Sequence, residues 1–419
     1  MNLVDELKWR GLIYDIINED DLRKRLEEGP ITVYCGFDPT ADSLHIGSLL
    51  PIVTLMRFQK AGNRVVALCG GGTGLIGDPS GKRVERKLNS ADIVAEWAEK
   101  FKVQIGHFIP FDGQTAFCEN NYNWLGTMSA IEMWRDFGRY FPVNYMLAKD
   151  SVKSRLENGG CTYLEFSYMI MQSMDFYKMH NDPKLKVDMQ IGGQDQWGNI
   201  TAGMDLIRKI EGSETKVFGI TMPLITKSDG TKFGKTESGA VWLDATKTSP
   251  YEMYQFWLNT ADADVIKFLK YYTFLTKEEI DSLEADLKEH PEQRNAQRTL
   301  ARILTELCHG KEAMEEAEKM GKSLFSGDIK SLTQDQINVL FKGIASVEIE
   351  GDVTILTALI KSGAAKSMRE AREFVSNGAV LVNGDKITDP EFILKKENSF
   401  GDTSVLRRGK KNWFVIKHI

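Results

Sequence analysis

Four segments of the chain place chemically active side chains beside glycines, and the first covers residues 34–48. Its sequence, Tyr34-Cys-Gly-Phe-Asp-Pro-Thr-Ala-Asp-Ser-Leu-His-Ile-Gly-Ser48, follows a β-rich run and precedes a helical pattern. Backbone N–H groups at such a helix start face the carboxyl edge of the sheet, where they bind anions. Gly47 weakens the first helical turn, which favours a nucleotide packed against the backbone. His45 taken alone is more often a structural histidine than a ligand.

The second segment is a glycine-rich loop at residues 70–81. Within it, Gly72-Thr-Gly-Leu-Ile-Gly77 matches the letters of the dinucleotide fingerprint GxGxxG. That fingerprint needs a helix through its third glycine, and Asp78-Pro79 stops a helix at once. We therefore interpret the loop as backbone that approaches a ligand closely, with Asp78 available for an ammonium group. The basic residues 82–87 suit either a phosphate clamp or an ordinary solvated loop.

Two later segments have the same character. Residues 190–199 contain two glycines followed by Asp195, which suits a ribose diol because a carboxylate accepts from both hydroxyls. A generic strand-to-helix turn also uses Gly and Asp. Residues 226–236 carry two lysines three positions apart among Gly, Ser and Thr, which suits a polyphosphate or an ordinary exposed loop. No Walker A pattern occurs there.

The elements that must position these segments follow from the apolar pattern. In the first half of the chain, β-rich runs such as Ile31-Thr-Val-Tyr-Cys35 and Arg64-Val-Val-Ala-Leu-Cys69 alternate with helical stripes such as residues 49–60. This alternation predicts a parallel α/β sheet. After Thr248-Ser-Pro250 the pattern is almost wholly helical to about Gly321, which predicts an all-α region.

Charge distinguishes the C-terminal part. The chain has 53 Lys and Arg against 59 Asp and Glu, a net charge of −6. Residues 352–419 hold 12 Lys and Arg against 8 Asp and Glu, so this part is +4 and the remainder is −10. A nucleic acid would therefore bind a local basic patch rather than the field of the whole chain. Residues 325–351 have low periodicity and are predicted to be a linker.

Composition excludes several classes of protein. A chain of 419 residues that is 42% hydrophobic and 27% charged is an ordinary globular mixture, long enough for two to three domains. Its five cysteines are widely spaced without a CxxC pair, which argues against a disulfide framework or zinc site and favours a reducing compartment. The sequence shows no targeting segment and no apolar run of membrane-spanning length. We expect a soluble, cytoplasmic protein without a dedicated metal site.

In this order, the segments resemble the signatures of the class I aminoacyl-tRNA synthetases, and specifically those of the bacterial tyrosyl-tRNA synthetases. His45-Ile-Gly-Ser48 is similar to the family's HIGH motif, and Lys232-Phe-Gly-Lys235-Thr236 is similar to its KMSKS motif. Further strings that resemble the family are residues 34–40, 74–79 and 192–199. Ser48 departs from HIGH, because the family usually has a second histidine there. A hydroxyl can donate to a phosphate oxygen but cannot carry charge.

The resemblance, which runs from about Leu7 to Ile419, implies a fold and a reaction. The implied order is a Rossmann-like catalytic domain at 1–223, a signature loop region at 224–247, a helical domain approaching the anticodon stem at 248–324, the linker at 325–351, and a small α+β RNA-binding domain at 352–419. The implied reaction activates L-tyrosine with ATP and transfers it to tRNA(Tyr), with Mg²⁺ accompanying ATP. Members of the family are homodimers.

The resemblance also assigns roles residue by residue. Catalytic contacts are implied for His45, Ser48, Lys82, Arg86, Lys232, Lys235 and Thr236. ATP contacts are implied for Cys35, Gly36, Asp38, Thr40, His45, Gly47, Gly192, Asp195 and Lys235. Tyrosine contacts are implied for Tyr34, Asp78, Tyr168, Gln172, Asp175, Gln190 and Gln196, with Tyr34 and Asp175 at the phenol. Contacts to tRNA phosphates are implied for Lys366, Arg369, Arg372, Arg407, Arg408, Lys410 and Lys411.

One of these assignments has support from spacing. Tyr168, Gln172 and Asp175 fall at i, i+4 and i+7, on one face of a helix. A polar helix face is usually solvated, but the Met and Phe residues around it indicate burial.

Three alternatives stay open. An RNA-binding relative that keeps the fold without activating an amino acid is supported only by Ser48. A nicotinamide dehydrogenase is supported only by the GxGxxG letters. Tryptophan specificity belongs to the nearest related synthetases. Amino-acid-dependent exchange of pyrophosphate into ATP separates these possibilities.

Overall fold

The computed structural model describes residues 2–80, 88–226, 228, 233–236, 239–409 and 412–419, without the side chains of residues 235 and 236. The chain divides into two compact units. The first comprises residues 1–248 and 259–308, and the second comprises residues 249–258 and 309–419.

The secondary structure alternates between strands and helices in the first half of the chain. The strands are β1 (Asp15–Ile17), β2 (Thr32–Phe37), β3 (Arg64–Cys69), β4 (Ala116–Asn120), β5 (Met189–Gly193), β6 (Phe218–Met222), β7 (Lys235–Thr236), β8 (Gly239–Ala240), β9 (Ser346–Ile349), β10 (Val353–Thr354), β11 (Val380–Val382), β12 (Asp385–Ile387), β13 (Ile393–Leu394), β14 (Thr403–Arg408) and β15 (Asn412–His418). The helices are α1 (Leu3–Arg10), α2 (Glu19–Glu28), α3 (Ile46–Lys60), α4 (Ala91–Phe108), α5 (Tyr122–Leu125), α6 (Ala130–Glu132), α7 (Val143–Leu147), α8 (Asp150–Glu157), α9 (Tyr163–Asn181), α10 (Trp197–Glu211), α11 (Pro250–Leu258), α12 (Asp262–Tyr272), α13 (Lys277–Glu289), α14 (Asn295–His309), α15 (Lys311–Ser326), α16 (Gln334–Leu340), α17 (Ile355–Lys361) and α18 (Met368–Ser376). Within the described ranges, none of these helices is long and apolar enough to span a membrane.

The first unit is built on a six-stranded sheet in the order β1-β6-β5-β2-β3-β4. Strands β2 to β6 run parallel, and β1 pairs antiparallel with β6 at the edge. In the register, Tyr34 of β2 lies between Val66 of β3 and Gln190 of β5. Chain order reverses between β2 and β5, and such a reversal opens a ligand-binding crevice at the carboxyl ends of the strands. The predicted parallel α/β fold is confirmed.

Helices cover both faces of this sheet. Helices α9 and α10 pack on the face that carries Tyr34, Val66 and Phe117, in a core that includes Phe176 and Ile200. Helices α3 and α4 contact β2 and β3. The right-handed connection of βαβ units places them on the opposite face. Because β3 is covered on both sides, it is almost wholly apolar rather than alternating.

The helical region predicted at 248–324 is shared between the two units. Helices α12 and α13 and nearly all of α14 belong to the first unit, where Val265, Phe268 and Leu269 are buried and α12 packs on α3. Helices α11 and α15 pack on each other in the second unit. The sequence period shows that each helix has an apolar face, but it does not show which of the two units that face packs in.

The second unit contains the predicted C-terminal α+β fold. Its five-stranded sheet has the order β12-β11-β14-β15-β9, in which only the β15–β9 pair among those described is parallel. Helices α17 and α18 share its core through residues such as Leu359 and Val375, packed with Leu406 and Ile416.

Residues 325–351 do not form the predicted linker. They contain α16 and β9, and Ile329, Leu332 and Ile337 are buried with Val405 of the C-terminal sheet. The elements here are too short to show a sequence period, so tertiary burial decides their structure.

Candidate active site

A cavity of about 450 Å³ opens at the carboxyl ends of β2 and β5 in the first unit. Among the residues whose side chains the structure describes, it is lined by every residue assigned to ATP or tyrosine, and by Ser48. These lining residues are Tyr34, Cys35, Gly36, Asp38, Thr40, His45, Gly47, Ser48, Asp78, Tyr168, Gln172, Asp175, Gln190, Gly192, Asp195 and Gln196. The fold therefore brings four separate segments of the chain around one space.

His45 is the N-cap of α3, and its Nδ1 accepts a hydrogen bond from the N–H of Gly47 at 3.0 Å. A neutral ring in this tautomer carries its proton on Nε2, which is then a donor. A Cβ on residue 47 would lie 2.7 Å from Cε1 of His45. Gly47 thus lets the imidazole fold over its own helix start, a reason that the sequence alone does not show.

Tyr34 and Asp175 form a buried polar pair. Oδ1 of Asp175 accepts from Nε1 of Trp124 at 2.7 Å, and Oδ2 accepts from Nδ2 of Asn121 at 2.9 Å. Burial raises the pKa of Asp175 to about 8, although these two hydrogen bonds act in the opposite direction. Burial and the nearby Asp175 raise the pKa of Tyr34 well above its ordinary value. Among the described residues, none forms a hydrogen bond with the Tyr34 hydroxyl or with Oε1 of Gln190.

Asn121 is a functional candidate that sequence reasoning missed, together with Trp124. Its side chain is 1% exposed. Nδ2 also donates to Oγ1 of Thr73 at 2.9 Å, and Oδ1 accepts from the N–H of Gly72 at 2.7 Å. Both Asn121 and Thr73 lie just beyond the carboxyl ends of neighbouring parallel strands. That position is the signal that could have identified them.

Asp38 connects the residues assigned to ATP with those assigned to tyrosine. Its Oδ2 accepts from the Tyr168 hydroxyl at 2.6 Å, and its Oδ1 accepts from the Thr73 hydroxyl at 2.7 Å. Burial and the Asp38 charge raise the pKa of Tyr168 well above its ordinary value, so the phenol remains a donor. Asp38, assigned to the nucleotide, therefore also holds a residue assigned to the amino acid.

Asp78 anchors a second polar group. Its Oδ2 accepts from Nε2 of Gln196 at 2.6 Å, and its Oδ1 accepts from the N–H of Ser80 at 2.8 Å. Oε1 of Gln196 accepts from Nε2 of Gln172 at 3.2 Å and from Nδ2 of Asn199 at 3.2 Å. A carboxylate beside amide oxygens suits an ammonium group. Asn199, which has no predicted role, completes this arrangement.

The glycine-rich loop lacks the helix of a dinucleotide fingerprint. Thr73–Leu75 form a short 3₁₀ turn, and Gly77 has a φ of +88°. The nicotinamide alternative therefore loses its structural basis. Asp195 lies in the 3₁₀ turn Gln194–Gln196 immediately after β5, as its proposed contact with a ribose requires.

The basic residues assigned to catalysis are described only in part. Lys82, Arg86 and Lys232 lie outside the described residues. The backbone of Lys235 and Thr236 forms β7, which pairs antiparallel with β8.

The residues predicted to bind tRNA lie in the second unit. The exposed ones are Lys366, Arg369 and Arg372, the last two on α18. Arg407 and Arg408 are half-buried, and each guanidinium lies over an aromatic ring of the same unit. Lys410 and Lys411 fall outside the described residues.

Comparisons with known proteins agree with the geometry. A family model described as tRNA synthetases class I (W and Y) matches residues 26–326, and one described as the tyrosine–tRNA ligase SYY-like C-terminal domain matches residues 336–416. The chain is 53% identical to the tyrosine–tRNA ligase of Geobacillus stearothermophilus over 100% of both chains. It is 52% identical to tyrosine–tRNA ligase 1 of Bacillus subtilis, over 100% of this chain and 99% of the other. A C-terminally truncated mitochondrial tyrosyl-tRNA synthetase of Aspergillus nidulans has a similar structure, with 30% identity, a TM-score of 0.69, and coverage of 77% of this chain and 94% of that chain. The resemblance seen in the signatures is confirmed, and the chain belongs to the tyrosine–tRNA ligase family of class I aminoacyl-tRNA synthetases.

Proposed function

We propose that this tyrosine–tRNA ligase activates L-tyrosine with ATP in the cavity between β2 and β5, and then transfers the tyrosyl group to the 3′-terminal adenosine of tRNA(Tyr). One observation carries the proposal. A single cavity joins a helix start capped by His45 with the buried polar pair Tyr34 and Asp175. The helix start suits phosphates, and the buried pair suits a phenol.

The amino acid is oriented by its polar ends. Its phenol meets Tyr34 and Asp175, whose buried atoms gain a partner that phenylalanine cannot supply. Its ammonium group meets Asp78 and the neighbouring amides, and Tyr168 and Gln190 complete the contacts. Support for this orientation comes from the Tyr34 hydroxyl, which is buried without a hydrogen bond from any described residue.

Activation is an exchange of bonds at phosphorus. A carboxylate oxygen of tyrosine attacks the α-phosphorus of ATP, and the bond from that phosphorus to the bridging oxygen breaks. Pyrophosphate leaves with the electron pair. The carboxylate is already ionised near neutral pH, so no general base is needed. The ribose hydroxyl of the tRNA then attacks the carbonyl carbon of the adenylate, and AMP leaves.

Position and charge supply the catalysis. Nε2 of His45 and the Ser48 hydroxyl donate to phosphate oxygens as negative charge grows, and the positive end of the α3 dipole adds to the field there. Signature lysines and other basic side chains are proposed to hold the pyrophosphate, namely Lys82, Arg86, Lys232 and Lys235. Mg²⁺ bound to ATP neutralises part of the phosphate charge when present.

We further propose a homodimer that acts in the cytoplasm. The dimer proposal is supported by four apolar side chains within residues 131–163 that are between 52% and 70% exposed, since exposed apolar side chains mark an interface where they lie together. They are Ile131, Trp134, Val143 and Tyr163. None of the five cysteines, all of which lie in the described residues, forms a disulfide, which agrees with a reducing compartment.

The purified chain is expected to exchange labelled pyrophosphate into ATP when L-tyrosine is supplied. L-Phenylalanine and L-tryptophan at equal concentrations serve as matched substrates and should give background rates, because neither presents a phenol to Tyr34 and Asp175. Background exchange with tyrosine would contradict the proposal and favour an RNA-binding relative. Faster exchange with tryptophan would reassign the substrate.

Replacement of both arginines of α18, as Arg369→Gln with Arg372→Gln, is expected to weaken tRNA binding. The slope of log affinity against log salt should fall by about 2, because each lost phosphate contact removes roughly one unit. Titration of labelled tRNA at several salt concentrations measures the slope, with the exposed Lys24→Gln as a control outside the basic region. The double variant should still exchange pyrophosphate at the wild-type rate. An unchanged slope would exclude these arginines from the tRNA contact.

A further inference from the structure

Helix α12 contacts the chain just before residues 232–236, the segment similar to the KMSKS motif, which we call the lysine signature. Oδ2 of Asp264 accepts both the backbone N–H and the hydroxyl of Ser228, each at 3.0 Å. Nζ of Lys267 donates to Oδ1 of Asp264 at 2.8 Å and to the carbonyl of Thr226 at 3.1 Å. Residues 226 and 228 are therefore attached to the first turns of α12.

The same helix holds the chain inside the signature. The ring of Phe233 packs against Phe268 with centroids 4.7 Å apart and stacks on Tyr272 at 6.0 Å. Asp264, Phe268 and Tyr272 recur every four residues, so one face of α12 makes both attachments. Only residues 229–232 separate the two attachment points, and Lys232 is the last of them.

Gly234, which follows Phe233, lies against Ile46 of the His45 motif. Gly234 has a φ of +79°, and a Cβ there would lie 2.5 Å from Cγ2 of Ile46. Its carbonyl accepts from the N–H of Val241 at 3.0 Å, and the carbonyl of Val241 accepts from the N–H of Ile46 at 2.8 Å. The lysine signature and the His45 motif are thus joined by backbone hydrogen bonds through one residue.

Asp264 has the properties of an anchor rather than a surface charge. It is 2% exposed. Burial raises its pKa, but hydrogen bonds from Lys267 and Ser228 outweigh that effect and lower it overall, so the carboxylate stays ionised. It is not among the described residues that line the cavity, and any effect on the reaction must pass through Ser228 or through Lys267.

We propose that Asp264 is a positioning residue for tyrosine activation, which fixes Ser228 and, together with Phe268, sets the path of the chain that leads to the signature lysines. This inference rests on the proposed function, in which those lysines hold the pyrophosphate. Helix α12 then serves the catalytic unit as a rigid support between the two signatures.

The test compares Asp264→Asn with Asp262→Asn in the full-length protein. Asp262 lies on the same helix but accepts from Gln297, away from the signature. Asp264→Asn should slow pyrophosphate exchange about tenfold and raise the KM for pyrophosphate, because an ionic hydrogen bond of this kind contributes about that factor. The dissociation constant for L-tyrosine, measured by equilibrium dialysis, should stay unchanged. Asp262→Asn should exchange like the wild type.

A second variant separates positioning from folding. Ser228→Ala removes only the hydroxyl donor from an exposed residue, and it should slow exchange by a smaller factor. Combined with Asp264→Asn it should add little, since both changes break the same contact. The inference would be overturned if Asp264→Asn weakened tyrosine binding by the same factor as it slowed exchange. It would also be overturned if both Ser228→Ala and Asp264→Asn exchanged pyrophosphate at the wild-type rate. If Asp264→Asn does not fold, wild-type kinetics in Ser228→Ala alone would overturn it. Absence of exchange in the wild-type protein would instead contradict the proposed function.

Discussion

Asp175→Ala is expected to lower the preference for L-tyrosine over L-phenylalanine by about 100-fold, because the substrate phenol loses an ionisable, fully buried hydrogen-bond partner. The ratio of the two kcat/KM values in pyrophosphate exchange measures this preference. Most of this change should come from a lower kcat/KM for tyrosine. Because phenylalanine makes no hydrogen bond with Asp175, its kcat/KM should fall little or rise slightly.

The variant also leaves the donors of Asn121 and Trp124 without their acceptor, so damage to α9 must be separated from lost recognition. Ser173→Ala provides the control on the same helix. Its hydroxyl is fully buried and donates to the carbonyl of Met169 without lining the cavity. It should lower stability while keeping the ratio. If Asp175→Ala keeps the wild-type ratio, the assignment of the phenol contact is wrong.

His45→Ala is expected to reduce the rate of adenylate formation by roughly 100-fold to 1,000-fold, the usual effect of removing one donor to a charge that develops in the transition state. The dissociation constant for L-tyrosine should change little, because His45 is assigned to the phosphates. Single-turnover formation of adenylate with saturating ATP measures the rate.

A cap variant distinguishes catalysis from helix stability. Nδ1 of His45 accepts from the N–H of Gly47, and loss of an N-cap alone costs about 0.5–2 kcal/mol of stability. His45→Asn keeps a capping oxygen but has no donor at the position of Nε2. We expect it to recover the thermal stability that His45→Ala loses and to remain slow. Recovery of the rate in His45→Asn would show that the cap, rather than the imidazole donor, is what the reaction needs.

Much of the site follows from residue types next to predicted strand ends. The motif at His45 lies at the start of α3, and Asp195 lies directly after β5, where each is expected. These positions are local, since strand ends, glycine turns and helix starts depend on a few neighbouring residues. Tyr168, Gln172 and Asp175 also share one helix face, on which Tyr168 and Asp175 are buried and Gln172 is half-buried, as the apolar residues around them indicate.

For other members of the site, local position does not reveal the hydrogen-bond partner. Asn121 and Trp124 orient Asp175 from a strand end more than 50 positions away in the chain, and an Asn-rich turn alone does not reveal such a partner. Asp264 is similar, because an acid in the first turn of a helix is ordinarily solvated. Its burial against Ser228 depends on where α12 packs.

The residue pattern by itself determined the parallel α/β sheet, the helical stretch and the chemical types gathered at the strand ends, and the family resemblance of the sequence implied the α+β end of the chain. Tertiary structure decided that α12 packs on α3 in the first unit, that residues 325–351 are part of a core, and that Asp38 contacts Tyr168. The physical reason is the distance along the chain over which each kind of interaction acts. Periodicity, capping and turn chemistry are set within a few residues, whereas burial and hydrogen-bond partners depend on which distant surfaces meet when apolar faces pack.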